Sequence, residues 1–317
     1  MKYSGLLILL SALIFSGCTS ENNPEQSPKD EKAYQAISAM GDTLYAPPLG
    51  EKVQAKYQSN LDSAEAAYQS GPNNADAIIW YGRRTAYMGD YREAIDLYTE
   101  GIKKHPKDAR FYRHRGHRYI TTRQFDKAVS DLKKAASLIE GSEDQVEPDG
   151  LPNEQNDPRS TLHTNIWYHL GLAQYLTGDF EETASSFQNC LDASTNDDMK
   201  VAATYWLYMS LRRAGMDLQA GKTLEPIEKN MDIIENESYH KLLMVFKGTF
   251  EEKTLLNDTE TPLDNATIGY GLGNWHYING REGRAKDLFQ KVYDGKHWNA
   301  FGYIAAETDL ERLSFES

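Results

Sequence analysis

The fold class that this sequence predicts is an all-α solenoid of antiparallel helix pairs, about five repeats with a capping helix at each end. Three observations predict it. Residue types recur at a fixed period: Gly82 and Gly116, Tyr91 and Phe125, Ala94 and Ala128, and Pro72 and Pro106 each stand 34 residues apart. A period of this size marks stacked supersecondary units, none of which can bury its apolar face alone. Each unit also carries a turn signal between two helical stretches, as in Gly89-Asp90-Tyr91 and Gly178-Asp179-Phe180, where glycine supplies the positive φ that ends a helix. Small residues (Gly82, Ala94) stand where paired helices must cross closely, and Pro106 stops the second helix of its pair.

The elements follow in order. A helix at 51–70 is expected to open the array. The first unit runs over 75–106. The second, 109–142, keeps Gly116, Phe125 and Ala128 and has Arg123 in place of the turn glycine. The third, about 164–197, carries Trp167, Leu170, Gly171 and Phe187, with Cys190 as a small buried hydrophobe. The fourth, about 201–234, keeps Gly215 and Ala220 but has Tyr208 where the others have glycine. The fifth, about 266–299, carries Leu272, Gly273, Gly280, Ala285 and Phe289. A helix at 298–313 is expected to close the array, because repeat stacks need their end faces covered. Two insertions, of 21 and 31 residues, break the spacing. The first, 141–160, is acidic and contains proline, which predicts an extended loop. The second, 235–265, predicts an apolar helix at 239–246 and a short one starting at a Thr249/Glu252 capping box.

This pattern of residue types at fixed offsets resembles the tetratricopeptide repeat (TPR) over about 75–313. The resemblance implies a superhelix whose first helices line a concave groove, with ligand contacts at defined positions of those helices. Carried onto this chain, those positions give a groove lined by Arg83, Arg110, Arg113, His117 and Arg212 and by Tyr168, Tyr175, Tyr205, Tyr270 and Tyr277. Arginine and tyrosine are enriched at binding hot spots, and guanidinium groups grip carboxylates bidentately. Acidic peptides or C-terminal carboxylates are therefore the fitting ligands, although the lysine and asparagine set of the eukaryotic carboxylate clamp is absent. Arg110, Arg113 and His117 recur at helical spacing and share one face, which points Arg115 and Arg118 elsewhere. The bland alternative stays open: arginines on a solvated face and tyrosines packed between repeats. A further alternative has the acidic 141–160 loop fold back over the arginines.

The N-terminus suggests a compartment. Lys2 precedes an apolar run from Gly5 to Phe15, then Ser16, Gly17 and Cys18. The run is short for a spanning helix and suits a signal peptide. The stretch resembles a bacterial lipoprotein signal with Phe15 in place of the usual leucine, which implies cleavage before Cys18 and lipidation of its thiol; an ordinary secretory signal is the alternative. Thr19 after that cysteine implies, by analogy, the outer membrane facing the periplasm. The expected organisation is a signal peptide at 1–17, a flexible tether at 18–50 rich in Pro, Ser and Asn, and the solenoid at 51–317. The layout resembles the small TPR lipoproteins of the Gram-negative envelope, NlpI-like in architecture, and implies a non-catalytic scaffold for envelope proteins or peptides.

A formal charge of −13 argues against nucleic acid as a partner. The two cysteines, Cys18 and Cys190, make no metal-binding or haem spacing, and no nucleophile-elbow or HExxH motif occurs. No catalytic residue, cofactor or metal is implied; His114 and His117 are flanked by arginines that disfavour a cation. Trp206 and Trp275, with the tyrosines, keep a glycan- or peptidoglycan-binding lipoprotein as the alternative function.

Overall fold

The computed structural model describes residues 33–257 and 262–315. A two-stranded antiparallel ribbon comes first, β1 (Ala36–Ile37) with β2 (Thr43–Leu44). The helix α1 (Glu51–Ser70) then opens the array. Four helix pairs follow: α2 (Ala75–Tyr87) with α3 (Tyr91–Lys104), α4 (Ala109–Thr121) with α5 (Phe125–Ile139), α6 (Leu162–Thr177) with α7 (Phe180–Ala193), and α8 (Asp197–Arg213) with α9 (Asp217–Thr223). The second insertion forms α10 (Glu237–Phe246) and α11 (Glu252–Asn257). The fifth pair is α12 (Pro262–Ile278) with α13 (Glu282–Tyr293), and α14 (Phe301–Phe315) ends the chain.

The repeat register follows from close helix crossings. A methyl group at Gly82 would stand 2.5 Å from the Tyr98 ring, and one at Gly171 would stand 2.7 Å from Phe187. Between the helices of a pair the chain turns in the left-handed region, at Gly89 (φ +93°), Gly178 (φ +86°), Gly215 (φ +74°) and Gly280 (φ +73°). Arg123 takes the same conformation with φ +60°, which costs a side-chain-bearing residue on the order of 1–2 kcal/mol. Its guanidinium offsets this by reaching across the array: Nη2 donates to Glu307 (2.6 Å) and to the Trp298 carbonyl (2.8 Å).

That reach reveals the first departure from expectation. α14 does not merely cover the end face of α13. It packs on α12, α13 and α6, and every residue from Gly302 to Asp309 is buried. Two of those residues are carboxylates, and both are answered. Glu307 pairs with Arg123 and also accepts the Ala39 backbone N–H at 2.7 Å. Asp309 pairs with Arg213, on α8, and lies 3.0 Å from the Tyr270 hydroxyl. The closing helix is thus internal to the array, held against the first helices of several units.

The second departure concerns the tether. Cys18 and the apolar run before it lie outside the described residues, but residues 33–50 are packed, not free. Ala36 and Leu44 are buried. Gln35 accepts from the Arg92 N–H on α3, and Trp298 donates to the Tyr45 carbonyl just before α14. Within 33–50 the one charged residue is Asp42, and both side chains and backbone make the contacts. The segment links the first unit to the last. In the second insertion, the helix expected at 239–246 is α10, and the short helix begins at Glu252, three residues after the anticipated start.

Removing the Glu307 carboxylate leaves Arg123 buried without its partner, a change that typically costs 3–5 kcal/mol. Glu307→Ala is therefore expected to lower the unfolding free energy in urea by about 3 kcal/mol or more. Lys253→Ala, which breaks an exposed pair with Glu251, is expected to change it by less than about 0.5 kcal/mol.

Candidate functional site: a chamber of arginines and imidazoles

With α14 filling one part of the concave face, a cavity of about 360 Å³ remains beside it. Its wall is built in layers. α2 contributes Arg83; α4 contributes Arg113, His114, His117 and Arg118; α6 contributes Asn165, Tyr168 and His169. α8 supplies Met199 and Ala202. The second insertion supplies Glu235 and Tyr239, positioned by the buried Asp198 carboxylate, which accepts the backbone N–H groups of Ile234, Glu235 and Asn236. Phe301, the first residue of α14, closes one side. A larger cleft of about 680 Å³ shares the Tyr87, His117, Arg118, Tyr239 and Phe301 walls and continues past Pro47, Leu49 and Leu151.

Arg113 is the most buried of the three arginines, 8 % exposed. Its Nη2 lies 3.1 Å from Glu147, in the 141–160 loop, and its Nη1 donates to His114 Nδ1 at 2.9 Å. Its Nε is buried with no hydrogen-bond partner. Arg83 lies over the Trp80 ring (4.4 Å) and Arg118 over the Tyr91 ring (5.4 Å). Neither makes an ion pair or side-chain hydrogen bond among the described residues.

The imidazoles are neutral. Burial, followed by the arginine charges, holds His114, His117 and His169 well below the ordinary value of 6.5. Two tautomers are set by neighbours: His169 Nδ1 faces the Asn165 carbonyl at 2.6 Å and so carries its proton there, whereas His114 Nδ1 accepts from Arg113. His117 packs against His169 with the rings tilted by 45° and their centres 4.3 Å apart. Burial also raises the Glu235 carboxyl, which accepts from Asn153 at 2.6 Å.

The expected groove residues are divided by the fold. Arg83, Arg113, His117 and Tyr168 come together on the chamber wall. Arg110 does not; it is turned back onto Asp108 and Asp76, with Nη–Oδ distances of 2.6 Å. Arg212 pairs with Asp217 (2.7 Å) at the far end of α8. Tyr175, Tyr205 and Tyr270 are fully buried, so they do not line an open groove. Their position corrects the sequence reading: α10 and α14 cover the surface on which those rings were expected, and Tyr175 and Tyr270 instead join hydroxyls at 2.7 Å in the core. Tyr277 is half-buried, with the Arg213 guanidinium 4.2 Å above its ring. Arg118, assigned to another face by helical spacing, lines the chamber, while Arg115 pairs with Asp131 of α5 as a packing residue. His169, Tyr239 and Phe301 carried no sequence signal, since their exposure to the cavity depends on distant elements, and His114 was weighed only as a metal ligand. The 141–160 loop does fold back: besides Glu147 on Arg113, Arg84 donates to the Gly150 carbonyl at 2.8 Å.

No nucleophile is poised here. Cys190 is buried behind α6, 3.5 Å from the Thr164 carbonyl, and burial pushes its thiol up. Among the described residues no cluster of three His, Cys, Asp or Glu has metal-holding geometry.

Residues 82–143, from α2 through α5, match the family described as "Tetratricopeptide repeat". The fold is a TPR solenoid. The same helix-pair register recurs in three further pairs beyond the matched stretch. Among curated proteins, the chain is 24% identical over 159 residues to the small glutamine-rich tetratricopeptide repeat-containing protein 2 of Saccharomyces cerevisiae, covering 50% of this chain and 40% of that one. It is 22% identical over 162 residues to the heat-shock protein cognate co-chaperone sgt12 of Aspergillus fumigatus, covering 51% and 41%. The match thus spans about two fifths of the length of those relatives. Among solved structures, a TPR protein from Parabacteroides merdae aligns with TM-score 0.48 and 16% identity, over 81% of this chain and 93% of that one. YrrB, described as a TPR protein with an unusual peptide-binding site, aligns with TM-score 0.43 and 13% identity, over 81% and 100%.

The neutral imidazoles set a pH dependence for this TPR array. A histidine whose folded pKa is depressed gives full stability above its unfolded value and loses it as pH falls, because only the unfolded chain takes up the proton. Stability is therefore expected to drop below pH 6.5, by up to about 1.4 kcal/mol per pH unit for each of the three histidines. Urea unfolding at pH 7.5 and 5.5 checks this, and His169→Gln is expected to reduce the difference.

Proposed function

We propose that this chain is a lipid-anchored TPR adaptor of the bacterial envelope that holds protein or peptide partners in the cleft beside α14. The observation that carries this reading is the 680 Å³ cleft itself, an aromatic and aliphatic trough with Arg118 on its inner wall, where it meets the chamber. Tyr57, Tyr87, Tyr239 and Phe301 offer rigid apolar area at low entropic cost, and Arg118 stands at the junction with the chamber. The fitting partners are acidic segments or C-terminal carboxylates. The names of the fungal relatives, one of them a co-chaperone, support a protein-binding role over a catalytic one. The glycan alternative is weaker, because its ring platforms are taken: Trp206 is 1 % exposed, and Arg281 lies over the Trp275 ring at 4.5 Å.

Anchoring rests on the sequence reading of Cys18, with the outer membrane facing the periplasm as the proposed site. Radiolabelled palmitate is expected in the wild-type chain and absent from Cys18→Ala; equal labelling in both would remove the anchor. For the cleft, a pull-down from detergent-solubilised envelopes is expected to recover a protein partner that is lost with Leu49→Asp and Leu151→Asp at the cleft mouth. The control Leu218→Asp, at a site 84 % exposed on the opposite helix layer, is expected to retain it.

A further inference from the structure

We propose that the chamber walled by Arg83, Arg113 and Arg118 is a binding site for one anionic group, a carboxylate or a phosphate, carried by a ligand that reaches it through the cleft. This deepens the adaptor reading, since it names the chemistry of the group that the same concave face would take.

Three observations carry it. Three guanidinium groups from two helices line one cavity. Clustered cations repel one another and hold a positive potential that a bound anion relieves. The donors are also incompletely used. Arg113 is more than nine-tenths buried, yet its Nε has no partner, and a buried unmade hydrogen bond costs about 1–3 kcal/mol. Arg83 and Arg118 lie over aromatic rings and make no ion pair among the described residues. An oxyanion seated among the three would supply the missing acceptors.

The chain itself shows how a carboxylate is received there. Glu147 sets Oε1 3.1 Å from Arg113 Nη2 and 3.8 Å from His114 Nε2, while its Oε2 accepts from Asn165 Nδ2 at 3.1 Å. That is a guanidinium and an amide on one carboxylate, with an imidazole close by. Glu147 approaches from the loop side, however, and leaves the Nε edge unused. Two other carboxylates face the cluster. Asp149 feels the Arg83 charge but forms no ion pair, and Glu235 is engaged by Asn153. Glu147 is therefore the resident competitor of the proposed ligand. The volume of about 360 Å³ sits at the small end of small-molecule sites. It admits an anionic group and a few attached atoms, not a folded segment.

Titration calorimetry of the full chain in detergent, with sodium phosphate and with sodium succinate as separate probes, tests the assignment. Saturable one-to-one binding of at least one probe is expected, weakened tenfold or more by Arg118→Gln and by Arg83→Gln, and tightened by Glu147→Gln. Binding of phosphate alone identifies a phosphorylated ligand, and binding of succinate alone a carboxylate. Heats of dilution only, with both probes in wild type and in Glu147→Gln, overturn the proposal, as does binding that both arginine variants leave unchanged while their circular dichroism melts match wild type. The adaptor reading is scored separately: partner capture that depends on Leu49 and Leu151 while neither anion binds sinks this inference and leaves the adaptor standing. Anion binding without partner capture does the reverse.

Discussion

Two carboxylates on one helix organise this molecule. Glu307 and Asp309 lie on α14 inside the concave face, where burial would be prohibitive for an unpaired charge. Each is met by an arginine from a distant unit, Arg123 and Arg213. Such pairs bring little net stability relative to apolar packing, because desolvation consumes most of the Coulomb gain. What they fix here is position. α14 can sit at only one depth and one rotation if both carboxylates are to be satisfied, and the left-handed backbone at Arg123 serves the same requirement.

The remaining chemistry follows from where that helix stops. Arginines stand on α2, α4 and α8 and in the turn after α4. Where α14 runs, Arg123 and Arg213 are neutralised by its two carboxylates. Before its first residue, Phe301, the helix has no carboxylate to offer, and Arg83, Arg113 and Arg118 are left to the 141–160 loop and to the cavity. Burial first, and the guanidinium charges after it, hold the three imidazoles well below their ordinary value. An acidic protein thus contains one interior region of opposite sign, bounded on one side by its own acids.

The helix pairs were legible in the sequence because they depend on local demands. A close crossing needs Gly82 or Gly171, and a tight turn needs Gly89 or its equivalent, so each leaves a residue type at a fixed offset. The site was legible only in part. Arg83, Arg113, His117 and Tyr168 were recovered from the repeat register, because three successive first helices, α2, α4 and α6, do present those positions to one face. Tyr175, Tyr205 and Tyr270 were misplaced for a reason no repeat pattern encodes: α10 and α14 come from outside the register and cover that face. Residues 33–50 were misread because the polar residues of 18–32 dominate the composition of 18–50, whereas 33–50 carries one charged residue, Asp42, and buries Ala36 and Leu44. Arg118 was assigned away from the groove on helical spacing alone, but a cavity enclosed on several sides, by α10 and α14 as well as by the first helices, takes in a wider arc of α4 than an open groove does.

The contacts of residues 33–50 with α3 and with the segment leading into α14 change how the array should behave as a polymer. In an open stack, each unit touches only its neighbours, so stability accumulates along the chain and ends can fray independently. Here Ala39 bonds to Glu307, a sequence separation of 268 residues. Long-range closure of this kind raises contact order and defers part of the stabilisation until both ends have met. The array is therefore better regarded as a single cooperative unit than as a row of interchangeable modules, and its beginning and end cannot be trimmed without opening its interior.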